Sequence, residues 1–422
     1  MQEVVILDGV RSPIGKFGGG LSKVRPDDLL AEIYKGLITR TGIDPAMIED
    51  VYAGCGNQAG EDNRDVARMA VLLAGFPKEV PGVTVNRNCA SALEAINQAA
   101  KSIIAEEGDL FIASGVECMS RAPWVMGKPD RTPQMGHPKM WDTTVGWRFN
   151  NKNMDALYPI ISLGETAENI AEDMSISRSE QDAFAVESHQ RAVDAMQSGR
   201  FDDEIIPIPV QQRKGDAMII DRDEHPRCTV LADGTIKLAT TVDDMNALRP
   251  AFKKGGSVTA GNSSGVNDGA AALLMSTRKR AEALGLKPKL RWLGSATAGV
   301  DPAVMGYGPV PATQKLLKRF NLTIDDIGLV ELNEAFAAQA IGCMKKLSLS
   351  HDKTNVNGGA IALGHPTGCS GARIMVTLMH EMERRAKDMD NDPSKPFYGL
   401  ATLCVGVGMG VTTLVEWIGD GS

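Results

Sequence analysis

Apolar residues run unbroken through Val4 to Leu7 in EVVILDGV and then give way to a polar, periodic stretch, RPDDLLAEIYKGLITRTG. The first reads as a strand and the second as a helix with an acidic start and a closing glycine. VPGVTVN is a further strand, CASALEAINQAAKSIIAEEG a helix, and DLFIASGVE another strand. In that helix Leu93, Ile96, Ala100, Ile103 and Ile104 recur at near-helical spacing, while Ala90, Ser91, Ala92, Ala95 and Ala99 keep the other side small. Such a helix is built for burial between layers. The later chain repeats the order: KLRWLGSATAG (strand), VPATQKLLKRFN (helix entered at a proline), TNVNGGAIA and GHPTGCSGAR (turns), IMVTLMHEMERRAKDM (helix), FYGLATLCVGVG (strand).

Strands without polar alternation, separated by helices, predict α/β layers with buried, parallel strands. Because both halves run in the same order, the pattern predicts a duplicated fold: residues 1–277 as the first half and 278–422 as the second. Between about 120 and 254 the alternation breaks, and RAPWVMGKPDRTPQMGHPKMWDTTVGWRF reads as irregular loop. One helix stands out there. Ser177 and Glu180 have capping-box spacing, and Gln181 to Gln197 follows, closing at Gly199. A long inserted region of this kind predicts a binding loop domain. GSVTAGNSSGVNDGAAALLMS reads as the strand that closes the first half, and NDPSKPF (391–397) as a surface loop.

Composition narrows the classes. The chain has 422 residues, long enough for two or three compact units, with net charge −8. No long basic run is present, which argues against nucleic acid as a partner. No apolar run reaches the roughly 18 to 20 residues of a membrane span. The opening MQEVVILDGVRSPIG lacks the pattern of a secretory signal, so a cytoplasmic location is expected. The seven cysteines are widely spaced and include no C-x-x-C, so free thiols are expected rather than disulfides or a metal site.

Four stretches carry candidate chemistry. In VNRNCASALEAI, Cys89 sits where strand becomes helix, and the positive end of a helix macrodipole favours thiolate. A buried inert thiol is the competing reading. In GHPTGCSGAR, His365 occupies the turn of the second half that matches the Cys89 turn of the first, and is a candidate general base. In LCVGVGMG, Cys404 ends a strand and is followed by a G-x-G-x-G run. That run is not a dinucleotide fingerprint, since VTTLVEW after it is β-like. In ELNEAFAAQA, Asn333 falls at a strand-to-helix change, as either an oxyanion donor or a plain helix cap.

NCASALEAI, NEAFA, GGAIALGHPTGCSGAR and CVGVGMG together resemble the signature blocks of the thiolase family, in order and spacing; VTAGNSSGVNDGAA and VVILDGVRSPIG match as well. The resemblance implies a five-layer αβαβα fold of two similar halves plus a loop domain, acting as an acyltransferase on 3-oxoacyl-CoA. It implies Cys89 as the acylated nucleophile and His365 as its base. Cys404 would be acid and base at the α-carbon of acetyl-CoA. One oxyanion hole would use His365 and a water held by Asn333, the other the N–H groups of Cys89 and Gly406. Coenzyme A is implied as a substrate, with no permanent cofactor and no metal. Ser264 would contact its pantetheine arm and Arg227, in DEHPR, its adenine end. A homodimer or homotetramer is implied, and a β-oxidation multienzyme complex is a further candidate partner.

The chain departs from the pattern in places. Ala92 stands where many relatives have glycine, and Cys369 where alanine is usual. For Cys369 a small buried substitute and a redox-sensitive thiol are the two readings. Ser162-Leu163-Gly164 replaces the H-M-G of some biosynthetic members, which puts Leu163 in the acyl pocket and favours a degradative or broad-range enzyme. WDTTVGWRF resembles a loop of 3-oxoadipyl-CoA thiolases, and Arg148 within it is a candidate cation for a dicarboxylic acyl chain; a solvated loop residue is the plain alternative. A biosynthetic acetoacetyl-CoA enzyme, a ketoacyl synthase and a non-catalytic lipid carrier are the rival readings. The synthase would have a histidine at the place of Cys404, and the carrier would have lost Cys89, His365 or Cys404.

Overall fold

The structure is a computed structural model that describes residues 2–58, 60–129, 135–388 and 396–419. Most of the expected surface loop NDPSKPF, 391–395, lies outside the described residues. The long strands form one mixed sheet whose path divides at a seam. From the seam outwards the first half has Val4–Arg11, Asn267–Thr277, Leu110–Cys118, Asp50–Gly54 and Val83–Val85. The second has Leu290–Gly299, Met409–Trp417, Tyr398–Val405 and Ile327–Leu332, with a parallel bridge from Val330 to Thr354 where the first half has its fifth strand. At the seam only Val5 with Arg291 and Ile6 with Leu290 are paired.

Parallel pairing, expected throughout, is confined to the outer strands. Asn267–Thr277 and Met409–Trp417 run antiparallel to both neighbours. The polar alternation was lost for a different reason: helices cover both faces. Leu110, Ile112 and Val116 face one core while Phe111 and Ala113 face another. Ala270, Ala272 and Leu274 likewise separate from Ala271, Leu273 and Met275. Each of the larger side chains withdrawn from water (Leu, Ile, Val, Phe, Met) contributes roughly 1.5 to 3 kcal/mol, and each alanine less.

The middle layer is a pair of helices, Ser91–Ile104 and Ser370–Asp388, packed on each other and on strands of both halves. Pro26–Thr41 and Val66–Leu73 cover the outer face of the first half, and Pro309–Phe320 and Ala337–Leu347 that of the second. These are the five layers. Pro26 enters the first of these helices at its start and Gly42, at φ 67°, ends it, as the sequence predicts.

The inserted region holds more regular structure than expected. Among the described residues, three hairpins of three-residue strands (Trp124–Met126 with Met140–Asp142, Ile208–Val210 with Met218–Ile220, Cys228–Val230 with Ile236–Leu238) accompany four helices. Strands so short leave no readable period. The helix Arg178–Gln197 does carry its capping box, with the Glu180 carboxylate accepting from Ser177 N–H at 2.8 Å. Arg11 ties the region to the first strand by ion pairs to Glu204 (2.6 Å) and Asp223 (2.7 Å), all three buried. Removing one member would leave an uncompensated buried charge. The strand predicted from Gly256 begins only at Asn267. Before it, the Thr259 and Asn262 side chains capture backbone N–H groups and hold the chain in tight turns.

Candidate active site

Cys89 lies two residues before the central helix, rather than in its first turn as expected. Asn88, at φ 46°, bends the chain there, and the Ser91 hydroxyl donates to Asn88 O (2.6 Å) while accepting from Arg87 N–H (2.9 Å). The partly buried thiol opens into a cavity of about 320 Å³ whose lining includes Asn57, Glu117, Arg148, Leu163 and Gly406. The backbone N–H groups of Gly406 and of Cys89 itself face the sulfur and favour thiolate. Burial outweighs them and pushes the thiol up to about 11, so the expectation of a thiolate at rest is corrected.

His365 follows Gly364 at the end of the short helix Ala360–Leu363, and its backbone N–H donates to Asn267 Oδ1 at 3.0 Å. Its Nδ1 is 2.6 Å from Ser370 Oγ. The Ser370 hydroxyl also lies 2.9 Å from Pro366 O and can donate to it. In that arrangement Nδ1–H donates to Ser370 Oγ, which leaves the Nε2 lone pair free to accept a proton. Burial, with Arg373 nearby, lowers His365 to about 4, so the ring is neutral at pH 7. Nε2 has Asn333 Nδ2 at 3.5 Å.

Asn333 is not a helix cap. The following helix starts at Ala337, with Phe336 at its cap position. Asn333 N–H bonds to Thr402 O at 3.0 Å, and its buried Oδ1 has no hydrogen-bond partner among the described residues. An amide so placed suits a bridging water.

Cys404 lies one residue before the end of the strand Tyr398–Val405 and is packed in an apolar cluster with Leu163, Ala167, Val258, Met305, Ala335 and Phe336. Burial first, then the nearby Cys89 and Cys343, raise its pKa well above the usual thiol value. It rests as S–H. Leu163, fixed by the Ser162–Glu165 capping box, lies beside both Cys404 and the Cys89 pocket.

Cys89, Gly406, Leu163 and Arg148 thus line one cavity, and Thr367, two residues after His365, lines it too. Ser264 and Arg227 do not, and neither do His365, Asn333 and Cys404. Ser264 N–H donates to Ala335 O (3.0 Å), and Arg227 N–H donates to His189 Nδ1 (3.2 Å). Cys369 is fully buried, its thiol pushed up to about 12 mainly by burial. Ser370, Asn57 and Glu117 were not anticipated. A signal for Ser370 exists: NCAS and GCSG each place a serine at the start of a central helix.

Comparison with known proteins agrees with this geometry. The family described as "Thiolase, N-terminal domain" matches residues 4–279, and "Thiolase, C-terminal domain" matches 286–417. A beta-ketoadipyl-CoA thiolase of Pseudomonas aeruginosa is 50% identical, over 98% of this chain and 99% of its own length. A 3-oxoadipyl-CoA/3-oxo-5,6-dehydrosuberyl-CoA thiolase of Escherichia coli is 48% identical, over 99% of this chain and 100% of its own. Among solved structures, the Bacillus anthracis acetyl-CoA acetyltransferase superposes with a TM-score of 0.88 at 40% identity, covering 99% of each chain. The human mitochondrial 3-ketoacyl-CoA thiolase in complex with CoA gives 0.87 at 34% identity, covering 99% of this chain and 98% of its own.

Proposed function

The chain belongs to the thiolase family and is an acyltransferase, and on that premise we propose that it cleaves 3-oxoacyl-CoA thioesters whose acyl chain ends in a carboxylate, 3-oxoadipyl-CoA being the representative substrate. His365 Nε2 takes the Cys89 proton as the sulfur attacks the 3-keto carbon. The C2–C3 bond breaks, and the Cys404 thiol gives its proton to the departing acetyl-CoA enolate. Coenzyme A then gives its thiol proton to Cys404 and attacks the acyl-Cys89 thioester, and Cys89 recovers its proton from His365. The Gly406 and Cys89 N–H groups stabilise the acyl-thioester oxyanion, and Asn333 with His365 the other. Coenzyme A is a substrate, and no resident cofactor enters these steps. Ser264 contacts its pantetheine arm and Arg227 lies towards its adenine end.

Arg148 carries the substrate assignment. It lines the Cys89 cavity, and its guanidinium meets only neutral acceptors at long range, Thr143 O (3.5 Å) and Asn57 Oδ1 (3.4 Å). Among the described residues it has no carboxylate partner, so a planar fork of donors is available to an incoming carboxylate. The names carried by the two relatives at 50% and 48% identity support the same substrate. Arg148→Met should lower kcat/KM on 3-oxoadipyl-CoA at least about 30-fold, the loss expected when a charged partner is removed. On the neutral 3-oxohexanoyl-CoA it should change little. Equal loss on both substrates would refute the assignment.

Division of the chain into halves near 277/278 is part of this reading, as are a cytoplasmic location and assembly as a homo-oligomer. The short edge strand Val83–Val85, with Val83 40% exposed, supports assembly by offering a free sheet edge to a second copy.

A further inference from the structure

Glu117 lies one residue before the end of the strand Leu110–Cys118, almost fully buried, yet lines the Cys89 cavity. Its carboxylate accepts from both halves of the molecule. From the first half come Gly56 N–H (2.8 Å) and Asn57 N–H (3.3 Å), with the Cys55 thiol at 3.8 Å. From the second come Thr367 Oγ1 (3.0 Å) and Gly368 N–H (2.9 Å). The approach is close: a Cβ on Gly56 or on Gly368 would lie 2.8 Å from Glu117 Oε2. Among the described residues Glu117 has no cationic partner, and dipoles alone meet its charge. Burial pushes its carboxyl up, and these donors hold it down.

The duplicated fold gives this position a meaning. Gly54 pairs with Gly115 at the end of one parallel pair, and Leu332 with Thr402 at the end of its counterpart. Two residues further along come Glu117 and Cys404, each opposite a glycine, Gly269 and Gly410. On the helix side, Ser91 and Ser370 correspond, and two residues before them stand Cys89 and Gly368. Cys404 with Cys89 is therefore the pseudo-twofold mate of Glu117 with Gly368. One crossing carries the reacting thiols and the other a carboxylate clamped on backbone N–H groups.

We propose that Glu117 is a positioning residue for thiolysis, a clamp at the second, non-reacting crossing that sets the Thr367–Gly368 turn, and through it His365, against the wall of the Cys89 cavity. This rests on the family's reaction and not on the acyl carboxylate, so each variant is assayed on both 3-oxoadipyl-CoA and 3-oxohexanoyl-CoA.

Glu117→Gln keeps the shape but turns an N–H₂ group towards donors that need an acceptor. A displacement of about 1 Å in a catalytic group costs on the order of 100-fold. Glu117→Gln should therefore lower kcat by about 100-fold on both substrates, with the KM for CoA within about threefold of the parent. Thr367→Val, which removes one of the bonds, should lower kcat about fivefold. The double variant should be no slower than Glu117→Gln alone, because both act through one turn. Losses that multiply in the double variant, or a Glu117→Gln enzyme with parental kcat, would overturn the proposal. If Glu117→Gln does not fold, Thr367→Val decides: parental kcat in that variant overturns it. A loss confined to 3-oxoadipyl-CoA would likewise overturn the clamp while leaving the substrate reading intact.

Discussion

The turns that enter the two central helices are built on the same part and loaded differently. In each, a serine hydroxyl at the helix start donates to a carbonyl just upstream: Ser91 to Asn88 O at 2.6 Å, Ser370 to Pro366 O at 2.9 Å. The serine's remaining acceptor capacity goes to different groups. In the first half it takes the backbone N–H of Arg87 (2.9 Å), which only closes the turn. In the second it is available to Nδ1–H of His365 (2.6 Å), which favours the tautomer with Nε2 free. One device thus serves as local structure in one half and as chemistry in the other, and the duplicated fold alone does not say which.

Matched substitutions separate the two uses. Ser370→Ala leaves His365 Nδ1–H without its acceptor and frees the ring to adopt the other tautomer, so kcat should fall about 100-fold. Ser91→Ala removes a turn-closing bond worth about 1 kcal/mol, and kcat should stay within about fivefold of the parent. Steady-state kinetics and thermal unfolding of the pair read the difference. Equal effects on kcat would mean that the two serines do the same work.

A smaller effect appears in pH dependence. Burial lowers His365 to about 4 and raises Cys89 to about 11, so the pair is uncharged across the neutral range. As pH falls through about 4 the ring gains a proton and can no longer accept one from Cys89. The acid limb of kcat/KM should therefore lie near pH 4, not near the ordinary histidine value of about 6.5. A midpoint near 6.5 would indicate a far wetter turn than the burial of His365 implies.

The smallest effect concerns Ala92, which stands in the helix after Cys89 where many relatives have glycine. A Cβ placed on Gly115 would be 2.5 Å from the Ala92 methyl, so Gly115 provides the room that Ala92 fills. Ala92→Gly should cost roughly 0.5 to 1 kcal/mol in stability and alter kcat less than twofold, measured by denaturant unfolding and initial rates. A tenfold rate change would give the methyl a part in the chemistry after all.

How much of this was legible beforehand follows a physical line. The repeated strand–helix order and the buried sides of the helix after Cys89 are written in apolar periodicity, which is local. The signature turns put Cys89, His365, Asn333 and Cys404 forward as candidates because glycine, proline and small residues leave letters of their own. The direction of strand pairing was not legible, since a strand covered on both faces reads alike in either sense. The protonation of Cys89 was misjudged because helix position is visible in sequence and depth of burial is not. Glu117 escaped for a related reason: its partners lie 60 to 61 residues upstream and 250 to 251 downstream, and nothing at Glu117 itself announces them.

The pairing of the first strand has a consequence for how the chain is made. Val4 to Arg11 lies against Ala271 to Thr277 and, at the seam, Leu290 and Arg291. None of these partners exists until about 260 further residues have followed Arg11 off the ribosome. This apolar strand must wait, unpaired, for one made far later, whereas the strands of the second half find one another within a span that starts at Leu290 and ends at Trp417. Closing so long a loop is slow and leaves a sticky edge exposed meanwhile. The half that carries the nucleophile is therefore begun first, yet it closes only once its last strand has emerged, and the nascent protein is most exposed to aggregation during that wait.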